Sequence, residues 1–411
     1  MTHARHRDPG GGLLISQRIE SSRVSGTVRM AETAKRLRDQ GRDIIDLSEG
    51  EPDFPTPPHV IAAAHAAALA GKTKYTPVAG TPELRAAVAR KFRKENNLEF
   101  KPDEIVVGTG AKQLVFNALM STLERGDEVI IPAPYWVSYP EIVEIAGGKP
   151  VIVRTAEHDD FKLRPDALEA AINEKTRWLI LNSPGNPSGA VYASEELGQL
   201  ADVVRQHAGI GILTDEIYEK IVFDGSPFQS FGAVAMDLRD RTLTVNGVSK
   251  TYAMTGWRIG YAGGPRNLIA AMVKLQGQST TNASSIGQAA ALAALTGPQD
   301  FLPGWLEHYV QRRNLVERQL SDIPGLRIPR PEGAFYLFLD CRQLLSRQGI
   351  TRDTELAEVL IEQAGVVTVP GSEFGTPGYI RICFARPEAD LEAACSRISD
   401  ILHPIAARTA T

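Results

Sequence analysis

Seven short runs of consecutive aliphatic and β-branched residues, separated by longer amphipathic stretches, leave this chain few architectures to choose from. The runs are Ile105–Val107, Glu128–Ile131, Pro150–Val153, Arg177–Leu181, Gly211–Thr214, Arg241–Val245 and Ile259–Ala262. Runs that are apolar throughout, rather than alternating with polar residues, belong to strands buried on both faces. Helical spacing fills the intervals, as over Ala111–Leu123, Ser194–His207 and Pro265–Leu275. The pattern predicts an α/β fold whose mostly parallel seven-stranded sheet is covered by helices.

Beyond about residue 301 the pattern changes. A helix is expected near 305–320, then strands at Gly333–Leu339, Val366–Val369 and Tyr379–Phe384, with helices near 354–363 and 388–402. This reads as a smaller α+β domain. The run Asp43–Leu47 is expected to fold with it. The expected organisation is a flexible tail over 1–15, an arm and part of the small domain over 16–57, a large domain over 58–300, and the small domain over 301–411.

Composition excludes several classes of function. With 45 basic and 49 acidic residues the formal net charge is −4, against nucleic-acid binding or a polybasic membrane surface. No apolar run reaches the 18 residues of a membrane span. Three widely spaced cysteines, Cys341, Cys383 and Cys395, give no disulfide framework and suggest a reducing cytoplasm. The eight histidines form no H-E-x-x-H motif, so no metal site is expected.

In open α/β sheets, ligands gather at the carboxyl ends of the strands. After the first run comes Gly108-Thr109-Gly110-Ala111-Lys112, small residues opening a helix whose N–H groups suit an anion. The glycine spacing fits neither a dinucleotide fingerprint nor a Walker loop, which weighs against NAD and ATP. Asn182–Gly189 is a polar loop, Asp215-Glu216-Ile217-Tyr218 follows the fifth run, and Ser249-Lys250 with Arg258 follow the sixth. A carboxylate, a phenol, a lysine and an arginine therefore converge on one edge. An aspartate after a strand is otherwise a helix cap, and a lysine otherwise a surface charge.

From about Ser25 to Ile401 the chain resembles the pyridoxal-phosphate-dependent class I aminotransferases of fold type I, in particular their bacterial aspartate and prephenate branch. The resemblance rests on Gly50-Glu51-Pro52-Asp53-Phe54, Lys74-Tyr75-Thr76-Pro77, Pro134-Tyr135-Trp136, Asn182–Gly189, Asp215–Tyr218 and the stretch from Gly247 to Gly260. It implies that Lys250 holds pyridoxal 5′-phosphate as a Schiff base and later moves the substrate Cα proton. Asp215 would face the pyridine nitrogen and Tyr218 the ring's phenolic oxygen, with Asn186 at that oxygen or at the substrate carboxylate. Trp136 would stack on the ring, while Arg258 and the backbone of Gly110 and Ala111 would take the phosphate. Tyr75 would reach the phosphate of a partner subunit, implying a homodimer with shared sites.

For the substrate, the resemblance implies that Arg381 clamps the α-carboxylate and that Gly50 lends it a backbone N–H. The stretch Gln278–Ala283 lacks the arginine that animal-type dicarboxylate enzymes use. Lys112, helped by Ser25 and Thr27, would instead grip a distal carboxylate. Arg23 stands where prephenate-active relatives carry a lysine, and Val24 replaces a common proline. The expected reaction passes the amine of aspartate or glutamate to 2-oxoglutarate or oxaloacetate through two half-reactions. The alternatives are a prephenate or broad-specificity aminotransferase, a β-eliminating or decarboxylating enzyme of the same fold, and a cofactor-binding regulator without turnover.

Overall fold

The computed structural model describes residues 13–20, 22, 26–225, 227–345 and 350–407. Residues 1–12 of the tail, Arg23, Val24 and Ser25, together with the side chain of Thr27, lie outside that description. All seven runs form strands of one sheet: β2 (Ile105–Gly108), β3 (Glu128–Ala133), β4 (Lys149–Arg154), β5 (Thr176–Asn182), β6 (Gly211–Asp215), β7 (Thr242–Gly247) and β8 (Gly260–Gly263), counting a short β1 (Ile45–Asp46) before them. Their order is β2-β8-β7-β6-β5-β3-β4. The sheet is parallel except that β8 runs against both neighbours.

The reason is the link between β7 and β8. Parallel neighbours need a crossover, usually a helix, whereas residues 248–259 contain only the short 3-10 turn Thr255–Trp257. The chain therefore comes straight back. The return pairs Gly247 with Gly260, and Gly260 with Gly108 on the other side. On the next strands the register pairs Asp215 with Val245 and Asn182 with Asp215. The carboxyl ends of β2, β5, β6 and β7 and the start of β8 thus lie along one edge.

Helices cover both faces through apolar stripes. Leu114, Val115, Ala118 and Leu119 of helix Ala111–Thr122 pack with Val106, Val245 and Ala262, while Leu197, Leu200 and Val204 of helix Ser194–Gln206 pack with Leu179 and Ile212. A separate core joins Phe335, Leu337, Leu339, Ile380 and Ile382 to helix Glu388–Ala407 and takes in Leu47, Ile217 and Tyr218. Among the described residues no helix is long and apolar enough to cross a membrane.

The C-terminal strands depart from expectation in one place. The run Val366–Val369 divides between β10 (Val366–Val367), which pairs in parallel with β1, and β11 (Val369–Pro370), which joins β12 (Tyr379–Cys383) and β9 (Tyr336–Asp340). Pro370 lacks an N–H to donate, which suits β11 to the edge of that three-stranded sheet. The N-terminal strand shortens from the expected 43–47 to Ile45–Asp46, the two positions with partners in β10.

Gly260 fixes the distance between sheet and helix. A Cβ there would collide with the backbone at Ala111 and Gly110. Gly260→Ala is expected to cost about 1–3 kcal/mol of overpacking, read as a lowered urea midpoint with an unchanged slope.

Candidate active site

The shared strand edge opens into a cavity of about 410 Å³. Ala111 and Lys112 enter it from the start of helix Ala111–Thr122, and Trp136 from the turn after β3. Asn186 comes from the loop after β5, Asp215 and Tyr218 from the end of β6, and Lys250 and Arg258 from the two ends of the β7–β8 link. Arg381, on β12, and Gly50 close the opposite wall.

Lys250 is partly buried and donates through Nζ to the Gly50 carbonyl. Removal from water lowers its ammonium to about 8, with Arg381 and Arg258 pushing the same way and Cys383 and Glu51 pushing back. Asp215 is 5% exposed. Its Oδ2 accepts from the Tyr139 hydroxyl at 2.9 Å, and its Oδ1 from the Ile217 N–H at 3.3 Å. Burial raises the carboxyl to about 6 despite these two donors and the Lys250 charge. Tyr218 and Tyr336 share a hydroxyl–hydroxyl bond of 2.7 Å, and burial pushes the Tyr218 phenol well up.

Arg381 is the most unusual group. Only 1% exposed, it donates Nη1 to Asn186 Oδ1 at 3.0 Å and Nη2 to the Ser48 carbonyl, and it lies 4.5 Å from the Tyr336 ring centroid. Among the described residues Nε has no partner and no carboxylate lies within ion-pair distance. A buried guanidinium without an anion is costly, so the arrangement suits one brought in from outside.

Arg258 adopts a left-handed backbone with φ of +56°, and its Nη1 donates to the Thr255 carbonyl at 2.9 Å. Its guanidinium passes so close to Gly110 (φ +86°) that a Cβ there would sit 2.6 Å from Nη2. Lys112 Nζ stands 4.8 Å from the Trp136 ring centroid, and partial removal from water followed by the Arg258 charge lowers its ammonium. Four cations, Lys112, Lys250, Arg258 and Arg381, thus face a cavity that also receives a helix N-terminus.

A family model described as aminotransferase class I and II matches residues 42–398. The chain belongs to this aminotransferase family. It is 49% identical over 393 residues to the aspartate aminotransferase of Rhizobium meliloti, covering 94% of this chain and 96% of the relative. It is 48% identical over 389 residues to the aspartate/prephenate aminotransferase of Cereibacter sphaeroides, covering 93% and 97%. A solved aspartate aminotransferase of Thermus thermophilus with maleate shares the fold at a TM-score of 0.90, 44% identical, covering 95% and 100%.

Within this aminotransferase the expected residues do not all meet. Gly110 is absent from the cavity wall, and its N–H already donates to the Gly108 carbonyl at 2.9 Å. Gly110 supplies space for Arg258, and Ala111 reaches the cavity. Tyr75 is 89% exposed and lines no part of the cavity. Val28 and Ala31 of helix Gly26–Asp39 do line it, close in sequence to Ser25 and Thr27.

Two polar partners went unread in the sequence, Tyr139 and Tyr336, while Asn182, whose Nδ2 donates to the Asp215 carbonyl at 2.9 Å, was read only as the start of the polar loop. Tyr139 left a signal, since it follows Trp136 by three residues at the start of helix Ser138–Ile145. Tyr336 sits in an apolar strand where a core tyrosine would look the same.

The buried carboxyls set a pH dependence for the cofactor-free protein. Asp215 near 6 and Glu216, raised by burial to about 8, both lie above their unfolded values. Their contribution to stability is full below the unfolded values near 4 and is lost as pH rises through about 6 and then about 8. Cofactor-free Asp215→Asn should unfold later than the parent at pH 8 by about 1–3 kcal/mol. At pH 4 the two should coincide. Denaturant titrations at both pH values check this.

Proposed function

We propose that this aminotransferase uses pyridoxal 5′-phosphate to move the amine of aspartate or glutamate to 2-oxoglutarate or oxaloacetate. The observation that carries the reading is Arg381, a buried guanidinium with no carboxylate partner among the described residues, across one cavity from Lys250. The donor set suits the cofactor: the helix start at Ala111 and the Arg258 guanidinium for a phosphate, Trp136 for a ring face, Asp215 for a ring nitrogen and Lys250 for an aldehyde. When bound, the cofactor supplies an electron sink for the pair left at the substrate Cα.

The protein's own groups then have separate tasks. Arg381 takes the substrate α-carboxylate in a bidentate pair, releasing its hold on Asn186, and Gly50 adds a backbone N–H. Asp215 keeps a proton on the ring nitrogen, its position fixed by Tyr139. Tyr218, buttressed by Tyr336, donates toward the ring's phenolic oxygen. Lys250, with its ammonium lowered to about 8, is part neutral at neutral pH and takes the proton from Cα. Trp136 and Arg381 together hold that C–H bond across the ring face, an orientation effect.

Lys112 reaches for the distal carboxylate of an acidic substrate; the resemblance assigns hydroxyls at Ser25 and Thr27 to the same carboxylate, and these lie outside the described residues. Prephenate as a second acceptor draws support from the named activity of the Cereibacter sphaeroides relative. Arg23, outside the described residues, keeps the positive charge that prephenate-active relatives carry as a lysine. Tyr75, left in water by its own subunit, fits a role at the phosphate of a partner in a homodimer. The two-domain division near residues 58 and 300 and a cytoplasmic setting belong to the same proposal.

Single-turnover spectroscopy on the holoenzyme tests the assignment. Aspartate should convert the cofactor to its amine form, and Lys112→Met should lower the rate constant over affinity for aspartate at least about tenfold more than for alanine. Equal losses would reject the role of Lys112. Ammonia or pyruvate released without an oxo acid would mark a lyase instead.

A further inference from the structure

Tyr336 is held on every side by groups that line the active-site cavity or support it. It opens strand β9 and pairs with Cys383 of β12. Side chains alternate along a strand, so Tyr336 shares a face with Phe338, which pairs with Arg381. The Arg381 guanidinium accordingly covers the Tyr336 ring at 4.5 Å from its centroid, and Phe335 crowds it at 4.9 Å. Tyr218 meets the ring at an interplanar angle of 81°. Packed this closely and buried, the ring has little room to turn.

The hydroxyl end is seated as tightly. A Cβ added to Gly50 would collide with the Tyr336 hydroxyl, whereas the next ring atoms would lie at 3.1 and 3.4 Å. The side chain that Gly50 lacks is therefore the space the hydroxyl occupies. From that seat it meets the Tyr218 hydroxyl at 2.7 Å, and among the described residues neither hydroxyl has another hydrogen-bond partner. Each phenol carries one proton, so one of the pair donates and the other accepts. A Tyr218 that donated to Tyr336 would have no proton left for the cavity.

On the cofactor reading just proposed, we infer that Tyr336 is a positioning residue whose hydroxyl, seated against Gly50, donates to Tyr218 and so turns the Tyr218 proton toward the cofactor's phenolic oxygen. Accepting that bond draws electron density from the Tyr218 oxygen and makes its own O–H a stronger donor. A donor at the phenolic oxygen is held most strongly when that oxygen bears its full negative charge. It therefore favours the deprotonated form of the bound cofactor and lowers the pH at which its proton leaves. Loss of the Tyr336 hydroxyl should raise that pH.

The visible spectrum of the holoenzyme, titrated with pH in the absence of substrate, reads the effect. Tyr336→Phe keeps the ring beneath Arg381 and should move the spectral midpoint upward by at least about 0.3 pH unit. Gly50→Ala, which fills the seat, should move it in the same direction. Tyr218→Phe should give a larger upward shift, and adding Tyr336→Phe to it should move the midpoint no further, because Tyr336 acts through Tyr218. A midpoint unmoved by Tyr336→Phe or by Gly50→Ala would overturn the role. So would a Tyr336→Phe shift of equal size with and without the Tyr218 hydroxyl. A parent protein that gives no visible band with pyridoxal 5′-phosphate would instead reject the cofactor reading, and the role of Tyr336 with it.

Discussion

Gly108, Gly247 and Gly260 stand in a row across three strands because β8 turns back against β7 without a crossover. Along that row no side chain separates the loops from the helix that starts at Ala111. The single reversal brings Lys250 and Arg258, eight positions apart, to the same edge, and it sets that pair opposite Asp215 and Asn182. Had the link carried a helix, β8 would run the other way and Arg258 would emerge at the far end of the sheet. The local chain reversal is what converts a common layered fold into one cavity.

The cavity so formed is electrostatically incomplete. Lys112, Lys250, Arg258 and Arg381 face it, against one buried acid, Asp215, and the exposed Glu49 and Glu51 at its rim. Low dielectric makes such a set unfavourable to itself and favourable to a dianionic phosphate and a carboxylate. The shifts of Lys250 downward and Asp215 upward express that cost, since each group resists charge where water is excluded. The surrounding hydrogen bonds orient the groups without neutralising them. Tyr139 holds Asp215, Asn182 holds the Asp215 carbonyl, and Asn186 occupies one arm of Arg381.

What the sequence made legible was what local order encodes. The seven apolar runs, the helix spacing between them and the residues trailing each strand could be read directly, because these are local properties. Burial was less legible at β4, which lies at the sheet edge with Ile152 38% exposed despite its apolar run. Side-chain pairs distant in sequence could not. Tyr139 meets Asp215 across 76 positions and Tyr336 meets Tyr218 across 118, and neither contact leaves a periodic trace. The division of Val366–Val369 between two sheets was hidden for the same reason, since it depends on β1, more than 300 residues earlier. The N–H of Gly110, which the resemblance implies for a phosphate, donates within its own turn to the Gly108 carbonyl, a contact between near neighbours that no spacing announces.

Arg258 carries a tension of its own. Its main chain occupies a region in which glycine or asparagine would rest more easily, at a saving of about 1 kcal/mol. Either replacement would relax the turn and abolish the cation that leans over Gly110. The most comfortable residue for the polypeptide is thus the least useful one for an anionic guest. On the proposed phosphate role, the backbone cost at Arg258 is borne for the ligand and not for the fold, and a glycine there would trade the cation for an easier turn.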